Sequence, residues 1–600
     1  MLSNRWIRSW ALAVVAVIML VGVWFWRGGS WAGDGGDGDG SASAERRRGG
    51  SEIWLGTAGC VECHREQHSS WQGTAHSQAM SRVAVEWEPA DGEYVHEASG
   101  RVYKSQRRDV ELWHVESGAA GEGEVAAKLE YLVGSGRHSR TYVAEFEGFL
   151  VESPLTWYSS TGSWSMSPGY DHAEHQGFER PVDAGCLVCH CGQIELAEES
   201  YHRLKIGELA IGCERCHGPG RGHAEYQRAQ TSGTSVERTG GDFPEDSIVH
   251  PKKLGRDHQD AICAQCHLRG DATVFRSGRG VNDFRPGELL TSVRVDWFLR
   301  SGAGGMKVVG HSDQMTASEC WKVSGTLTCI TCHAGHGTAG ASPAERLAEY
   351  RRVCLSCHVE SACGEAADRR AQTEPRDNCI SCHMPQVSTD IPHIAFTHHR
   401  IGIHSDEPAV AADVATAELV PFGSTEGVSE LELRRLHALA CAEYAVRAES
   451  AELRERFRRQ AFSELRVASV KLPEDGEVWS ALSRLYWEGG ELSLAEAAAG
   501  RALGAVRLSI GSRVNALFVR GDARLQGGRI GGAVTDLEDL VRLRRNSEDW
   551  LLLGLAYTQR GDKEAGAAAV EVAGEISPWR REVKEALMRM RGSGVAEGRN

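Results

Sequence analysis

Positive charge is in short supply: 67 Lys and Arg face 82 Asp and Glu across 600 residues, a formal net charge of −15 at pH 7. That argues against a nucleic-acid partner, whose phosphates demand a basic surface. Long apolar runs are equally scarce. One stands out, residues 10–26 (WALAVVAVIMLVGVWFW), seventeen residues without interruption. As a helix it reaches roughly 25 Å, near the lower limit for spanning a bilayer. Trp10, Trp24 and Trp26 sit at its ends, and Arg5 and Arg8 precede it. This pattern predicts an N-terminal membrane anchor over 1–27 with the bulk of the chain on the far side, periplasmic or otherwise extracytoplasmic and tied to the inner membrane. The competing reading is a cleaved signal peptide, but the small-x-small site Ala42-Ser43-Ala44 lies far beyond the apolar run. Residues 28–50, rich in Gly, Asp and Ser, cannot bury a core and read as a flexible linker.

What the chain does have is cysteine in one arrangement. Cys-x-x-Cys-His occurs seven times: Cys60/Cys63/His64, Cys186/Cys189/His190, Cys213/Cys216/His217, Cys263/Cys266/His267, Cys329/Cys332/His333, Cys354/Cys357/His358 and Cys379/Cys382/His383. Structural zinc does not require a histidine directly after the second cysteine, and a redox dithiol has no need to recur seven times. Covalent c-type haem requires both features, since two thiols add to the porphyrin vinyl groups and the adjacent imidazole becomes the proximal iron ligand. Seven haems are therefore expected, with structural zinc as the competing reading. The motifs use fourteen of the eighteen cysteines. Cys191, Cys320, Cys363 and Cys441 remain, and read as small apolar residues or one disulfide.

A second ligand for each iron must come from the other histidines, of which the chain has enough: twenty-five in all. His336, in TLTCITCHAGHG, lies three residues beyond its own proximal ligand and cannot easily fold back to the opposite face of the same porphyrin. It is better placed to serve a neighbouring haem. His76, His223, His311, His393 and the cluster His398, His399 and His404 are similar candidates, with His68 and His138 weaker.

Six hundred residues exceed one ordinary core, so two or more domains are expected. Residues 51–410 form the expected multihaem domain. Its gap of 121 residues between His64 and Cys186 holds strand-like segments such as 128–133 and 140–146, predicting a small β-rich insertion over about 90–158. The last six motifs crowd together with few long periodic segments, so short helices and loops wrapped around stacked haems are expected. From 427 to 600 the chain turns to Ala/Leu/Glu/Arg-rich, helix-forming sequence. Trp550, Leu553, Gly554, Tyr557, Gly566, Val570, Ala573 and Pro578 match the tetratricopeptide spacing, and Trp479, Leu482, Tyr486, Ala495, Ala499 and Ala502 repeat it. The expected fold class is thus mainly α: a multihaem part followed by a tetratricopeptide solenoid suited to protein docking.

The stretches CVECHREQHSSWQGTAHSQAM, CERCHGPGRGH, CITCHAGHG and CISCHMP resemble multihaem cytochromes of the hydroxylamine oxidoreductase and cytochrome c-552/c-554 type superfamily. Haem motifs followed by tetratricopeptide repeats also resemble exported cytochromes of environmental bacteria. The resemblance implies stacked, mostly bis-histidine haems. Cys-x-x-Cys-Lys, the motif of the nitrite reductases, is missing, and seven attachment sites stand where hydroxylamine oxidoreductase has eight. Its catalytic haem and cross-linking tyrosine therefore cannot be carried over. Electron transfer between redox partner proteins is the preferred function. The alternative is an oxidoreductase acting on a small nitrogen or sulfur compound at one open haem, with the basic segment Arg137-His138-Ser139-Arg140 as its first anion-binding candidate. A third reading makes the repeats the principal function, with the haem part docking them to a respiratory complex.

Overall fold

The computed structural model describes residues 53–597, apart from 119–122, 197–199, 233–247, 301–306, 308, 338–340, 374–376, 390, 392, 405–413 and 415. The expected anchor at 10–26 and the linker at 28–50 lie outside the described residues. Among those described, no helix is long and apolar enough to cross a membrane. The longest helix, Ala451–Lys471, is studded with Arg and Glu. The expected transmembrane anchor and inner-membrane placement are corrected accordingly.

The long gap after the first motif folds as a sheet larger than a small insertion. Its strands are β1 (Met80–Arg82), β2 (Gly92–His96), β3 (Arg101–Arg108), β4 (Glu111–Ser117), β5 (Glu124–Val133), β6 (Ser139–Phe146), β7 (Phe149–Glu152), β8 (Leu155–Tyr158) and β9 (Ser163–Met166). The order runs β2-β3-β4-β5-β6-β8-β9, with β1 added on β5 and β7 on β6. Strand β5 shows why: Val125, Ala127 and Leu129 are buried while Ala126, Lys128 and Glu130 between them are not, the period of two that puts one face on a core. Glu147 and Gly148 both take positive φ, the backbone that a tight β6–β7 hairpin turn needs. Trp164 of β9 donates from Nε1 to the Ala90 carbonyl at 3.3 Å and packs over Gly92 of β2, which brings the two ends of the sheet together. The core holds Tyr103, Leu112, Leu129, Tyr142, Leu155 and Phe178, each contributing about 1.5–3 kcal/mol by burial. The N-terminal part is therefore richer in sheet than a mainly α reading anticipates.

Further strands punctuate the motif-rich stretch. The hairpin β10 (Cys191–Leu196) and β11 (Leu204–Leu209) follows the second motif; β12 (Ala272–Phe275) and β13 (Arg294–Arg300) follow the fourth; β14 (Gln386–Ser388) and β15 (Ala395–Thr397) follow the seventh. Strand β16 (Glu418–Pro421) returns to pair with β13. The remaining chain there is loop and short helix.

From 430 the structure is helical: α1 (Glu430–Arg447), α2 (Ala451–Lys471), α3 (Gly476–Glu488), α4 (Leu492–Gly504), α5 (Ile510–Gln526), α6 (Ile530–Leu543), α7 (Ser547–Arg560), α8 (Lys563–Ile576) and α9 (Arg581–Glu597). Ser429, Ser450, Asp475, Ser509, Asn546 and Asp562 cap six of these helices, each worth about 1 kcal/mol. Short links make successive helices antiparallel hairpins. A Cβ on Gly554 of α7 would sit 2.9 Å from Val570 Cγ2 and 3.0 Å from the Gly566 carbonyl. Glycine is what lets α7 and α8 approach so closely.

The helices grip the rest of the chain at both ends. On α1, Glu432 accepts from the Ser277 amide at 2.8 Å and Glu443 from the Thr273 amide of β12 at 3.3 Å. Before α7, the Arg545 amide donates to His202 Nε2 at 3.0 Å, and the Ser547 amide at its start to Glu179 at 2.7 Å.

Candidate haem-binding site

Each attachment motif needs its two thiols and its imidazole on one side, and a short helical turn supplies that. Thr57–Cys60, Ala184–Leu187, Glu214–His217, Cys329–Cys332 and Cys379–His383 are single helical turns at their motifs, while the fourth and sixth motifs close the longer helices Arg256–His267 and Pro343–Leu355. All eighteen cysteines are free of disulfides, so the thiols are available and the single-disulfide reading of the leftover four is not seen.

Not every motif cysteine is covered by the described chain. Cys63 of the first motif, Cys186 of the second, Cys357 of the sixth and Cys382 of the seventh are exposed, and so are the motif histidines His64, His333 and His358. The reason is local. Glu62, Ser356 and Ser381, the residues directly before Cys63, Cys357 and Cys382, are themselves polar and exposed, so these turns end toward solvent and not in a core. Ser356 and Ser381 place their hydroxyls 3.9 and 3.8 Å from the Cys357 and Cys382 sulfurs. Exposure leaves the attachment chemistry of these four thiols intact, since a thiol has only to reach a vinyl group at the porphyrin edge. It does set the first and sixth motifs, each with one thiol and its imidazole exposed, apart from the half-buried third and fourth.

Buried side chains tie one motif to another. Glu214, inside the third motif and 2% exposed, accepts from the amides of Leu55, Gly56 and Gly220 at 2.9, 2.8 and 2.6 Å. The first motif is thereby held against the third, and the Cys60 and Cys213 thiols are neighbours. Asp260 of the fourth motif's helix accepts from the Cys329 amide at 3.1 Å, and Cys263 meets Cys329. Cys189 meets Cys266. Burial, then the neighbouring Cys379 and Cys332 sulfurs, push the Cys354 thiol up to about 11. The attachment points thus lie beside one another along the chain of motifs.

Four proximal imidazoles face a second imidazole across a gap. His64 faces His223 with ring centroids 6.4 Å apart and planes 26° apart. His217 faces His336 at 6.0 Å and 26°. His333 faces His399 at 6.2 Å and 29°, and His267 faces His76 at 6.2 Å and 69°. A metal–imidazole nitrogen bond is about 2 Å, which puts the centroids of two rings on opposite faces of one metal about 6 Å apart. The donor sets of these four motifs therefore fit a six-coordinate iron. In each pair the second histidine comes from outside the motif that supplies the first. His190, His358 and His383 are not among the paired rings.

Protonation and tautomer suit ligation as well. Desolvation by the surrounding chain holds His76, His190, His217, His333 and His399 below the usual histidine range, His267 and His398 down to about 4, and His311 down to about 3. Neutral imidazole is the form that binds a metal. The Nδ1 atoms of His217, His383 and His399 face the carbonyls of Val249, Gly402 and Thr397 at 2.9, 3.1 and 2.9 Å. With Nδ1–H donated there, Nε2 is left for iron.

The other candidates are placed differently. His311 lies 5.0 Å from His267 and 4.6 Å from His399, ring to ring. His398 and His404 pack together at 5.0 Å, with His404 Nε2 3.3 Å from the His383 carbonyl. His393 stands edge-on to Tyr158 at 4.9 Å, His68 packs on Trp71 and His138 on Phe396. Arg140 is engaged by buried Glu88 at 2.9 Å, so half of the basic segment is committed to an internal ion pair.

Sequence reasoning passed over Glu214, Asp260 and Arg215. Arg215 is 5% exposed; its Nε donates to the Cys191 carbonyl at 3.1 Å, yet its Nη2 has no hydrogen-bond partner among the described residues. A buried guanidinium donor beside the Cys189 and Cys266 sulfurs suits the carboxylates that a haem brings. No spacing rule marks these residues, because each occupies a variable position in or near a motif.

Residues 59–111 match the family described as cytochrome c554 and c-prime. A stretch of 99 residues, 16% of the chain, is 29% identical to cytochrome c-554 of Nitrosomonas europaea and spans 40% of that relative's length. Among solved structures, Outer Cell Wall Cytochrome OcwA aligns over 89% of this chain and 100% of its own at 12% identity, with a TM-score of 0.34. A MamA fragment from Desulfovibrio magneticus RS-1 aligns over 27% of this chain and 85% of its own at 20% identity, with a TM-score of 0.23. The cytochrome matches imply covalently bound c-type haem with iron.

Proposed function

We propose that the chain is a heptahaem electron-transfer cytochrome, with residues 51–410 as its haem-bearing domain and 427–600 as a tetratricopeptide docking domain for redox partner proteins. The observation that carries this reading is the facing of proximal and second imidazoles, above all His64 with His223 and His217 with His336. An iron with an imidazole on each face has no open position for a substrate, and what bound haem then supplies is a one-electron couple tuned by its ligands and burial. The protein's part is to present neutral imidazoles, to keep Nδ1 on backbone carbonyls and to pack the attachment points side by side. Adjacent centres then exchange electrons without a substrate between them. The exposed outer motifs, with Cys357, His358 and Cys382 at the surface, suit the entry and exit of electrons to a partner. The three helical hairpins from 476 onward, starting at Gly476, Ile510 and Ser547, support a repeat surface suited to protein partners.

The test is the electron paramagnetic resonance and visible spectrum of the purified ferric protein, with intact mass. Seven haems are expected, with low-spin iron throughout and at the four paired motifs in particular. A high-spin iron that binds cyanide in the wild type would transfer the assignment to the oxidoreductase alternative, with the exposed His358 centre as the first place to look.

A further inference from the structure

Outside the seven motifs, three different metal-ligating side chains converge on the first helical hairpin. His437 and Cys441 are four residues apart on α1, hence on one face of that helix, and Glu464 faces them from α2. His437 Nδ1 lies 2.8 Å from Glu464 Oε2, and Cys441 Sγ lies 4.0 and 3.8 Å from the two ring nitrogens of His437. The donor atoms all fall within 4.8 Å of one another. With bonds of about 2.0–2.3 Å, a tetrahedral ion holds its donors roughly 3.3–3.8 Å apart, and the observed spacings bracket that range. Cys441 is fully buried and in no disulfide. The imidazole and carboxylate are partly open, with side-chain exposures of 21% and 33%, so an ion has a way in from solvent.

Two surroundings hold the donors in place. Gln460 Nε2 donates to the other carboxylate oxygen, Glu464 Oε1, at 3.0 Å, which fixes the rotation of that carboxylate. The Trp297 ring of β13 packs on His437 with centroids 5.1 Å apart. Outer partners of this kind are what orient ligands in metal sites.

The geometry points to a second, non-haem metal site at His437, Cys441 and Glu464 that takes one divalent cation of the zinc type. A mixed thiolate, imidazole and carboxylate set suits borderline Zn2+ better than hard Mg2+ or Ca2+. Three protein ligands leave the fourth position to water. The bound ion would cross-link α1 to α2 at the place where Trp297 joins the helices to the three-stranded sheet.

The experiment uses the full haem-loaded chain, so that the motif cysteines are already bound. One equivalent of Zn2+ is added, excess metal is dialysed away, and retained zinc is counted by mass spectrometry and viewed at the zinc X-ray absorption edge, which is separate from iron. One zinc per chain is expected, with a single sulfur neighbour at about 2.3 Å and lighter neighbours near 2.0 Å. Cys441→Ala should lose the sulfur neighbour, and His437→Gln and Glu464→Gln should each weaken retention at least tenfold, with haem spectra unchanged. The two partly exposed positions keep the test decisive if the buried substitution disturbs folding. No retained zinc, zinc without a sulfur neighbour, or equal retention in His437→Gln and Glu464→Gln would each overturn the proposal.

Discussion

Replacing His336 with alanine separates the ligand reading from a merely structural one. His336 stands across a 6.0 Å gap from His217 with the two rings 26° from parallel, while its own motif ligand, His333, faces His399 instead. The substitution therefore acts on the third motif's iron, although it lies in the fifth motif's loop. All seven haems should stay attached, because thioether bonds do not depend on the sixth ligand. The lost intensity should be one iron in seven, so about one-seventh of the ferric iron changes from low-spin to high-spin or water-ligated. That iron should bind cyanide, and its reduction potential should rise as a donor imidazole is lost. His223→Ala should produce the same change at the first motif's iron, and the double variant about two-sevenths, since the two rings serve different centres. Electron paramagnetic resonance with a cyanide titration reads all of these. An unchanged low-spin signal in His336→Ala would refute the pairing and leave His336 as a residue of the glycine-rich turn.

Intact mass after maturation should report seven haems, and replacing Cys329 or Cys332 should lower the count by one; a wild-type count below seven would remove the heptahaem assignment. Glu214→Gln should cost about 2–4 kcal/mol, because three backbone amides lose a charged acceptor, and limited proteolysis near Trp54–Gly56 should speed up; equal protection would show that Glu214 does not hold the first motif in place. Gly554→Val should destabilise the helical part by about 1–3 kcal/mol through overpacking against Val570 and Gly566, read as a lower urea midpoint in circular dichroism. His114 is buried, and burial brings it down to about 3; the unfolded chain takes up its proton near 6.5, so stability present above that pH is lost as pH falls, by about 2 kcal/mol between pH 7 and pH 5. His114→Gln, neutral throughout, should flatten the pH dependence of the thermal midpoint, and an unaltered slope would assign the acid sensitivity elsewhere.

The Cys-x-x-Cys-His motifs were legible because their pattern is local: two thiols and an imidazole in five residues can be read without any fold. Their burial was not, because the same pentapeptide is half-buried at Cys216 and His217 and in solvent at Cys357 and His358, and only the surrounding chain decides which. The helical hairpins were legible for a reason related to the first, since a repeat of about 34 residues places Leu482, Leu517 and Leu553 at equivalent buried positions. The sheet was less so. Residues 128–133 and 140–146 show their alternation openly, but Arg101–Arg108 reads RVYKSQRR, and its inward Tyr103 and Ser105 are concealed among charges. Which histidine rings face the motif imidazoles was not legible as pairs. Nothing in FTHHRIGIH favours His399 over its neighbours; the turn after β15, with Nδ1 on the Thr397 carbonyl, decides which ring meets His333. Glu214 had no signal at all, because a carboxylate at a variable motif position declares its role only when three distant amides arrive.

Cross-donation of ligands has a consequence for assembly. His223 follows the third motif but faces the first motif's imidazole, and His336 follows the fifth but faces the third's. Thioether formation needs only the local pentapeptide, so it can precede folding, whereas ligand saturation needs two separated segments in register. On the proposed reading, an incompletely folded chain therefore displays irons with one imidazole each, and low spin develops as the segments close. The contacts that bring those segments together include Glu214 on the amides of Leu55, Gly56 and Gly220, and Asp260 on the amide of Cys329. Each such bond is worth about 1.5–3 kcal/mol, and on the proposed reading the iron–imidazole bonds add to that closure. Ligand field and tertiary structure are then one cooperative unit. Loss of a single second histidine should weaken the contact between two motifs as well as open one iron, so His336→Ala is expected to loosen the third and fifth motifs while only the iron it faces changes spin.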